Sequence, residues 1–351
     1  MIYLNVGNLW SYPYLDRVIE LNDQHKDDGI RVNSLFGSIA NITPTARSFD
    51  RIPYRDWSFI ADYVAKSRKH GIGIRYTLNQ SCIGSIQEFK DYFDSSLKET
   101  LYRLHNIGVA EWTITSPLLL RIVKTMFPDD FVEVSTIAEV STVNDAAHWE
   151  ELGADGVNVS TSINRNFARL GTISKRLVTS ILCNEACLFR CPWRRECYNL
   201  SSHDSRRSEE LFSFYPFRKC NEVRLAHPEE WLKSRLVLPQ WLPTYNKKAG
   251  ISWFKIAYRT HPEEVAIPIL ELYMNKYFGG NLCALWPTIS HLGSTPEPKN
   301  VTYISSSRMD DVGFLRRWDV GDDCDEHICG VGCLYCKVMF DRCKINVKYE
   351  D

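Results

Sequence analysis

DAAHWEELGADGVNVSTSINRNFARLGTISKRLVTSILCNEAC, residues 145–187, contains the alternation that decides the fold. DAAHWEELGADG has apolar residues at helical spacing and a glycine, Gly153, just before the next strand. GVNVS (156–160) and LVTSILC (177–183) are short β-branched blocks. A period near 3.6 marks a helix, and short apolar blocks bounded by turn residues mark strands. The second strand runs directly into a cysteine-rich segment.

The same alternation extends outward in both directions. Strands are predicted at IYLNV (2–6), VNSLF (32–36), GIRYTL (73–78), EWTIT (111–115), FVEVS (131–135) and ISWFKI (251–256). Helical stretches include DWSFIADYVAKSRKHG (56–71) and SIQEFKDYFDSSLKETLYRLHNIG (85–108). Gly71, Gly108 and Gly153 each suit the left-handed position that ends a helix. Eight strands, mostly followed by helices, predict a parallel α/β protein, and eight is the number that closes a (β/α)8 TIM-type barrel. A doubly wound open sheet is the alternative, but no G-x-G-x-x-G follows the first strand. Residues 184–248 form a Cys-rich insertion after strand seven, and 286–351 a Cys-rich C-terminal tail. The expected organisation is a barrel over 1–285, insertion included, and an extension over 286–351.

Composition bounds the function classes. The 351 residues are 44% apolar and 24% charged, with 42 Lys plus Arg against 43 Asp plus Glu. A core is affordable, disorder is not indicated, and no global positive charge draws the chain to nucleic acid. No apolar run is long enough to span a bilayer, and no secretory signal opens the sequence. A cytoplasmic protein is expected, where twelve cysteines stay reduced rather than paired.

Cys82 and Cys283 stand apart and read as small core hydrophobes. The other ten fall into two clusters: Cys183, Cys187, Cys191 and Cys197 with Cys220 downstream, then Cys324, Cys329, Cys333, Cys336 and Cys343. Close spacing lets thiolates converge on one soft metal centre. Barrel enzymes place their chemistry at the C-terminal ends of strands. Cys183, Asn184, Glu185 and Cys187 follow strand seven, so the first cluster falls at that face. Lys255 and Arg259 follow strand eight, where anionic groups often bind. Asn5, Asn79 and Glu133 lie near other strand ends.

LCNEACLFRCPWRRECYN (182–199) resembles the Asn-Glu-x-Cys-x-x-x-Cys-Pro-x-Arg pattern of the peptidase U32 superfamily and its U32-like relatives. WFKIAYRT (253–260) resembles that family's Phe-Lys-Ile-x-x-Arg segment, and YMNKYFGGNLCAL (273–285) its helix and Gly-Asn-Leu ending. The resemblance implies a [4Fe–4S] cluster held by four cysteines on a barrel. For several members it also implies oxygen-independent hydroxylation of a quinone precursor or an RNA base, with prephenate as oxygen donor. The C-x3-C-x3-C-x5-C run here differs from the family's ligand spacing.

Cys187, Cys191, Cys197 and Cys220 are the expected ligands, with Cys183 in reserve. His203 in SSHDS reads as solvated. Glu185 is a candidate acid, base or anchor, or else an ion-pair partner of a nearby arginine. Arg190, Arg194, Arg195, Arg206, Arg207 and Arg218 form either a solvated loop or a patch for an acidic substrate, an RNA backbone or the cluster's charge. In the tail, Cys329, Cys333 and Cys336 are candidates for zinc or a second cluster, with His327 a further ligand; Cys324 in its acidic stretch and Cys343 in a helical pattern fit less well. The leading expectation is an Fe–S redox enzyme acting on an anionic small molecule or RNA, with Glu185, Lys255 and Arg259 in its site. Radical S-adenosylmethionine chemistry, a metal-stapled non-catalytic module working with a partner subunit, and a peptidase are the alternatives. The last has neither a G-x-S-x-G elbow nor H-E-x-x-H.

Overall fold

The structure, a computed structural model, describes residues 1–351 except Asn41, Pro44, Ser48, Ala186 and residues 206–214, 287–302, 322–323 and 346–351. Arg206 and Arg207 lie outside the described residues.

Eight parallel strands close into a barrel in chain order. They are β1 (Ile2–Gly7), β2 (Ile30–Gly37), β3 (Gly73–Leu78), β4 (Glu111–Ile114), β5 (Phe131–Val134), β6 (Gly156–Asn158), β7 (Val178–Leu182) and β8 (Trp253–Ile256). Leu4 of β1 pairs with Val32 on one side and Phe254 on the other, which closes the ring. The (β/α)8 fold is therefore the one expected. Several strands are shorter than their apolar blocks because the hydrogen-bonded ladder stops before the β-branched run does.

The helices carry the signals read from sequence. Asp56 caps the helix Trp57–Lys69 by accepting from the Phe59 N–H. Ser85 with Glu88 and Thr142 with Asp145 form reciprocal capping boxes, each satisfying two otherwise unpartnered N–H groups. Gly71, Gly108 and Gly153 sit at φ of 67°, 103° and 103°, where a side chain would be strained. The long 85–108 pattern is Ile86–Tyr92, a wider π turn over Phe93–Leu97, and Lys98–Asn106.

Strand alternation sorts the interior. In Ile74-Arg75-Tyr76, Trp112-Thr113-Ile114, Val132-Glu133-Val134 and Phe254-Lys255-Ile256, buried apolar residues flank a buried polar one. The apolar positions belong to one continuous core, while the polar ones meet each other across the barrel. The insertion folds as helices Arg194–Asp204, Tyr215–Ala226, Glu230–Lys233 and Leu242–Ala249. The tail adds helices Ser306–Asp311 and Tyr335–Cys343, with Tyr303–Ile304 paired antiparallel to Lys344–Ile345. Phe314 of the tail stacks on Trp241 of the insertion at 5.9 Å. No helix among the described residues is long and apolar enough to cross a membrane.

Candidate functional site

The barrel interior is built on an ion network. Glu133 Oε1 accepts from Arg75 Nη1 and Ser180 Oγ, both at 2.8 Å, and Oε2 from Lys255 Nζ at 2.9 Å. Glu111 takes the far side of Arg75 at 2.8 Å. Burial pushes the Glu133 carboxyl up, but Lys255 and Arg75 outweigh it and hold its pKa at about 2. Burial lowers the Lys255 ammonium, and Glu133 offsets part of that. Lys255 thus lies within β8 rather than after it, and its charge is engaged by Glu133. Glu133 likewise lies inside β5.

At the C-terminal end of the barrel, Asn184 anchors the chain leaving β7. Its Nδ2 donates to the carbonyls of Ala257 at 2.8 Å and Leu285 at 3.2 Å, and its Oδ1 accepts from the Ala257 N–H at 2.7 Å. Glu185, buried next to it, accepts from Arg194 Nη2 at 2.9 Å, Tyr198 Oη at 2.6 Å and Cys187 Sγ at 3.4 Å. Burial raises the Glu185 pKa, yet Arg194 and the Tyr198 hydroxyl bring it below the ordinary value. A carboxylate held ionised with both oxygens engaged suits a positioning role; the ion-pair reading of Glu185 matches this geometry.

Cys187 touches Glu185, and the other members of the first thiol set lie beyond it. Cys220 donates its S–H to Cys191, which holds the Cys191 thiol down at about 6. Burial raises Cys187 to about 12, with Glu185 adding to the effect. Burial and the neighbouring Cys191 raise Cys197 to about 11. Cys220 feels Cys187 and Arg224 as well as Cys191. Arg194 acts on Cys187, Cys191 and Cys197. Among the described residues no three or more thiols, imidazoles and carboxylates are already drawn into ligating geometry, so binding needs side-chain rotation. The donor set itself fits an iron–sulfur cluster: four cysteines beside arginines that favour the thiolate form, with the nearby carboxylates of Glu185 and Glu139 both paired with Arg194. Cys183 is fully buried and donates weakly to the Ile181 carbonyl, as a strand-end cysteine would.

A polar cavity of about 350 Å³ opens beside these thiols, lined by Cys187, Cys191, Arg190, Arg194, Arg195, Arg235, Glu139 and the Ser160–Ser162 turn. Arg259 enters the barrel mouth from another side. Its guanidinium donates to the hydroxyls of Thr77 at 2.7 Å and Thr45 at 3.3 Å. Burial and the nearby Arg47 together lower its pKa to about 9. Among the described residues, no carboxylate pairs with Arg259. Asn79 completes this wall by accepting from Thr45 Oγ1 at 2.8 Å, whereas Asn5 accepts from Ser34 inside the barrel.

Other predicted residues fall elsewhere. His203 and Arg218 are exposed, as is His327. Arg190 pairs with Asp325 of the tail at 2.5 Å, and Arg195 reaches Glu139 only at 3.9 Å. Cys82 and Cys283 are half-buried rather than buried; Cys283 shares Arg224 with Cys187 and Cys220. Sequence reasoning missed Arg47, Tyr198, Arg224 and Arg235. Tyr198 alone carried a signal, since it follows Cys197 in the quoted motif; the others come from loops and helices whose approach depends on the fold.

The fold and site define a (β/α)8 barrel protein with a cysteine-lined, cation-rich C-terminal mouth. Part of the barrel is similar to peptidase family U32: the family model matches residues 59–180. That span ends before the cysteine-bearing motifs that first suggested the family. The curated "Uncharacterized protease MJ1657" of Methanocaldococcus jannaschii is 28% identical over 292 residues, covering 83% of this chain and 82% of the relative. The solved U32 peptidase Mk0906 is 21% identical, with a TM-score of 0.48, covering 61% of this chain and 83% of that one.

Proposed function

We propose that this protein is an iron–sulfur enzyme whose cluster is held by Cys187, Cys191, Cys197 and Cys220 and whose substrate is an anionic small molecule or RNA. Oxygen-independent hydroxylation is the concrete reaction. The observation that carries the reading is the polar cavity beyond β7 lined by Cys187 and Cys191, in the part of the barrel where such folds work, with Cys197 and Cys220 on the helices of the insertion that follow. The cluster would supply electron-transfer or Lewis-acid chemistry at that mouth.

The chain's own residues then divide the labour. Asn184 holds the β7 loop against β8, and Glu185 fixes Cys187 and Tyr198 through its hydrogen bonds. Arg259, with Arg47 beside it and no carboxylate partner among the described residues, offers a carboxylate or phosphate its counter-charge. Burial of that guanidinium strengthens the attraction, because little water competes for it. Glu133 and Glu111 together neutralise Lys255 and Arg75 beneath the mouth, so excess positive charge is concentrated above them. Four gathered cysteines favour this reading over radical S-adenosylmethionine chemistry, which keeps one iron open. The protease named for the curated relative would require a hydrolytic nucleophile or metal site of another kind.

Anaerobic purification with iron, sulfide and zinc analysis tests the proposal. A brown protein with about four irons assigned to this site, lost in Cys187→Ala and in Cys220→Ala, is expected. A colourless protein holding zinc alone would overturn it in favour of a metal-stapled module, and peptide hydrolysis by the metal-free chain would favour the peptidase.

A further inference from the structure

The tail carries a second thiol set that the barrel mouth does not use. Cys324, Cys329, Cys333 and Cys336 line one small cavity with Phe189, Arg235 and Trp318. A tight loop shapes it: the Ile328 carbonyl accepts from the Gly332 and Cys333 N–H groups at 2.9 and 3.1 Å, and Gly330 sits at φ 86°. That loop pairs Cys329 with Cys333 across a bridge. Trp318 Nε1 donates to Cys324 Sγ at 3.4 Å, and Cys336 Sγ lies 3.8 Å from the Leu232 carbonyl. Cys343, at the far end of the helix, is buried away from the cavity. The geometry therefore includes Cys324, which the sequence pattern disfavoured, and leaves Cys343 out.

Charge supplies an independent argument. Arg165 and Arg235 are only 2% and 5% exposed. Arg165 donates to the carbonyls of Leu232 at 2.6 Å and Ser234 at 3.1 Å, and Arg235 lies 3.9 Å from the Phe189 ring centroid. Among the described residues neither meets a carboxylate, and the Nε of each is buried with no hydrogen-bond partner. Two buried guanidiniums without a counter-charge are costly. Arg235 lines the cavity with Cys336, and Arg165 adjoins it over the Trp318 ring at 4.9 Å and through the Leu232 carbonyl that Cys336 also approaches. Among the described lining residues only Glu229 is acidic, and its carboxylate lies 3.9 Å from His227.

We propose that Cys324, Cys329, Cys333 and Cys336 bind a second iron–sulfur cluster. Four thiolates on such a core carry a net charge of about −2, which offsets Arg165 and Arg235. Zinc sites draw their ligands mostly from two separated pairs, whereas C-x4-C-x3-C-x2-C is a single compact run of the kind that holds clusters. Phe189 and Arg235 line both this cavity and the one beside Cys187. Asp325 ties the tail to Arg190 at 2.5 Å and Arg169 at 3.4 Å. The second centre thus stands one side chain from the first thiol set. The assignment does not depend on the first site being filled.

Iron and sulfide content after anaerobic reconstitution of the full chain tests it, with zinc measured alongside and circular dichroism checking the fold. About eight irons in the wild type, and about four each in Cys333→Ala/Cys336→Ala and in Cys187→Ala/Cys191→Ala, are expected. Unchanged iron in Cys333→Ala/Cys336→Ala, or loss of one zinc in place of iron, overturns the second cluster. Unchanged iron in Cys187→Ala/Cys191→Ala, with iron lost from the tail variant, overturns the first-site reading alone. If the tail variant does not fold, alkylation of the native iron-loaded wild type decides. Shielded Cys324, Cys329, Cys333 and Cys336 that react once iron is chelated support the cluster; their free reaction beforehand overturns it.

Discussion

Glu133→Gln would remove the one negative charge shared by two buried cations at the centre of the barrel. The carboxylate lies 2.8 Å from Arg75 and 2.9 Å from Lys255, and Arg75 keeps Glu111 while Lys255 keeps no carboxylate among the described residues. Breaking a buried pair by deleting one partner costs about 3–5 kcal/mol, because a desolvated charge is left behind. Titration provides a second route to the magnitude. A fall from the ordinary 4.5 to about 2 corresponds to roughly 3 kcal/mol of native-state stabilisation. Because the folded pKa is the lower one, this stability is present above about pH 4.5 and is lost as pH falls toward 2. Thermal unfolding at pH 7, followed by circular dichroism, should place Glu133→Gln on the order of 4–7 °C below the wild type. Between pH 4.5 and 3 the gap should narrow, since the wild type loses what the variant never had. Adding Lys255→Met to Glu133→Gln should recover part of the loss, the two sites being directly coupled. A variant melting within a degree of the wild type, or a gap constant with pH, would refute the reasoning.

Further outcomes follow from the site. Gly7→Ala would place a Cβ 2.7 Å from the backbone nitrogen of Arg259; a loss of about 1–3 kcal/mol is expected in denaturant unfolding, and an unchanged midpoint would show that the β8 loop yields. Asn184→Ala removes three hydrogen bonds between the β7 exit and the chain around Ala257 and Leu285. It should cost about 1–3 kcal/mol and lower iron retention, whereas full retention would separate the asparagine from the thiol set. Phosphate or a dicarboxylate should raise the melting temperature of the wild type but not of Arg259→Gln, measured by thermal shift; equal shifts in both would rule out the guanidinium as the anion contact.

The sequence by itself determined the barrel. The eight strand blocks, the glycines at 71, 108 and 153 and the capping residues act over a few positions each, and local hydrogen bonding and alternation are legible at that range. It also determined that Cys187, Cys191, Cys197 and Cys220 come from one insertion following β7. Tertiary structure alone decided which groups these meet. Glu133 reads as a strand-end residue until closure of the ring brings it against Arg75 and Lys255, 58 and 122 positions away. Cys324 reads as part of an acidic surface stretch until the Trp318 indole and the neighbouring thiols enclose it. Arg235 carries no motif, yet it lines both thiol cavities. Charge compensation in a buried site depends on distances through space, and sequence spacing encodes those only within a single helix, strand or turn.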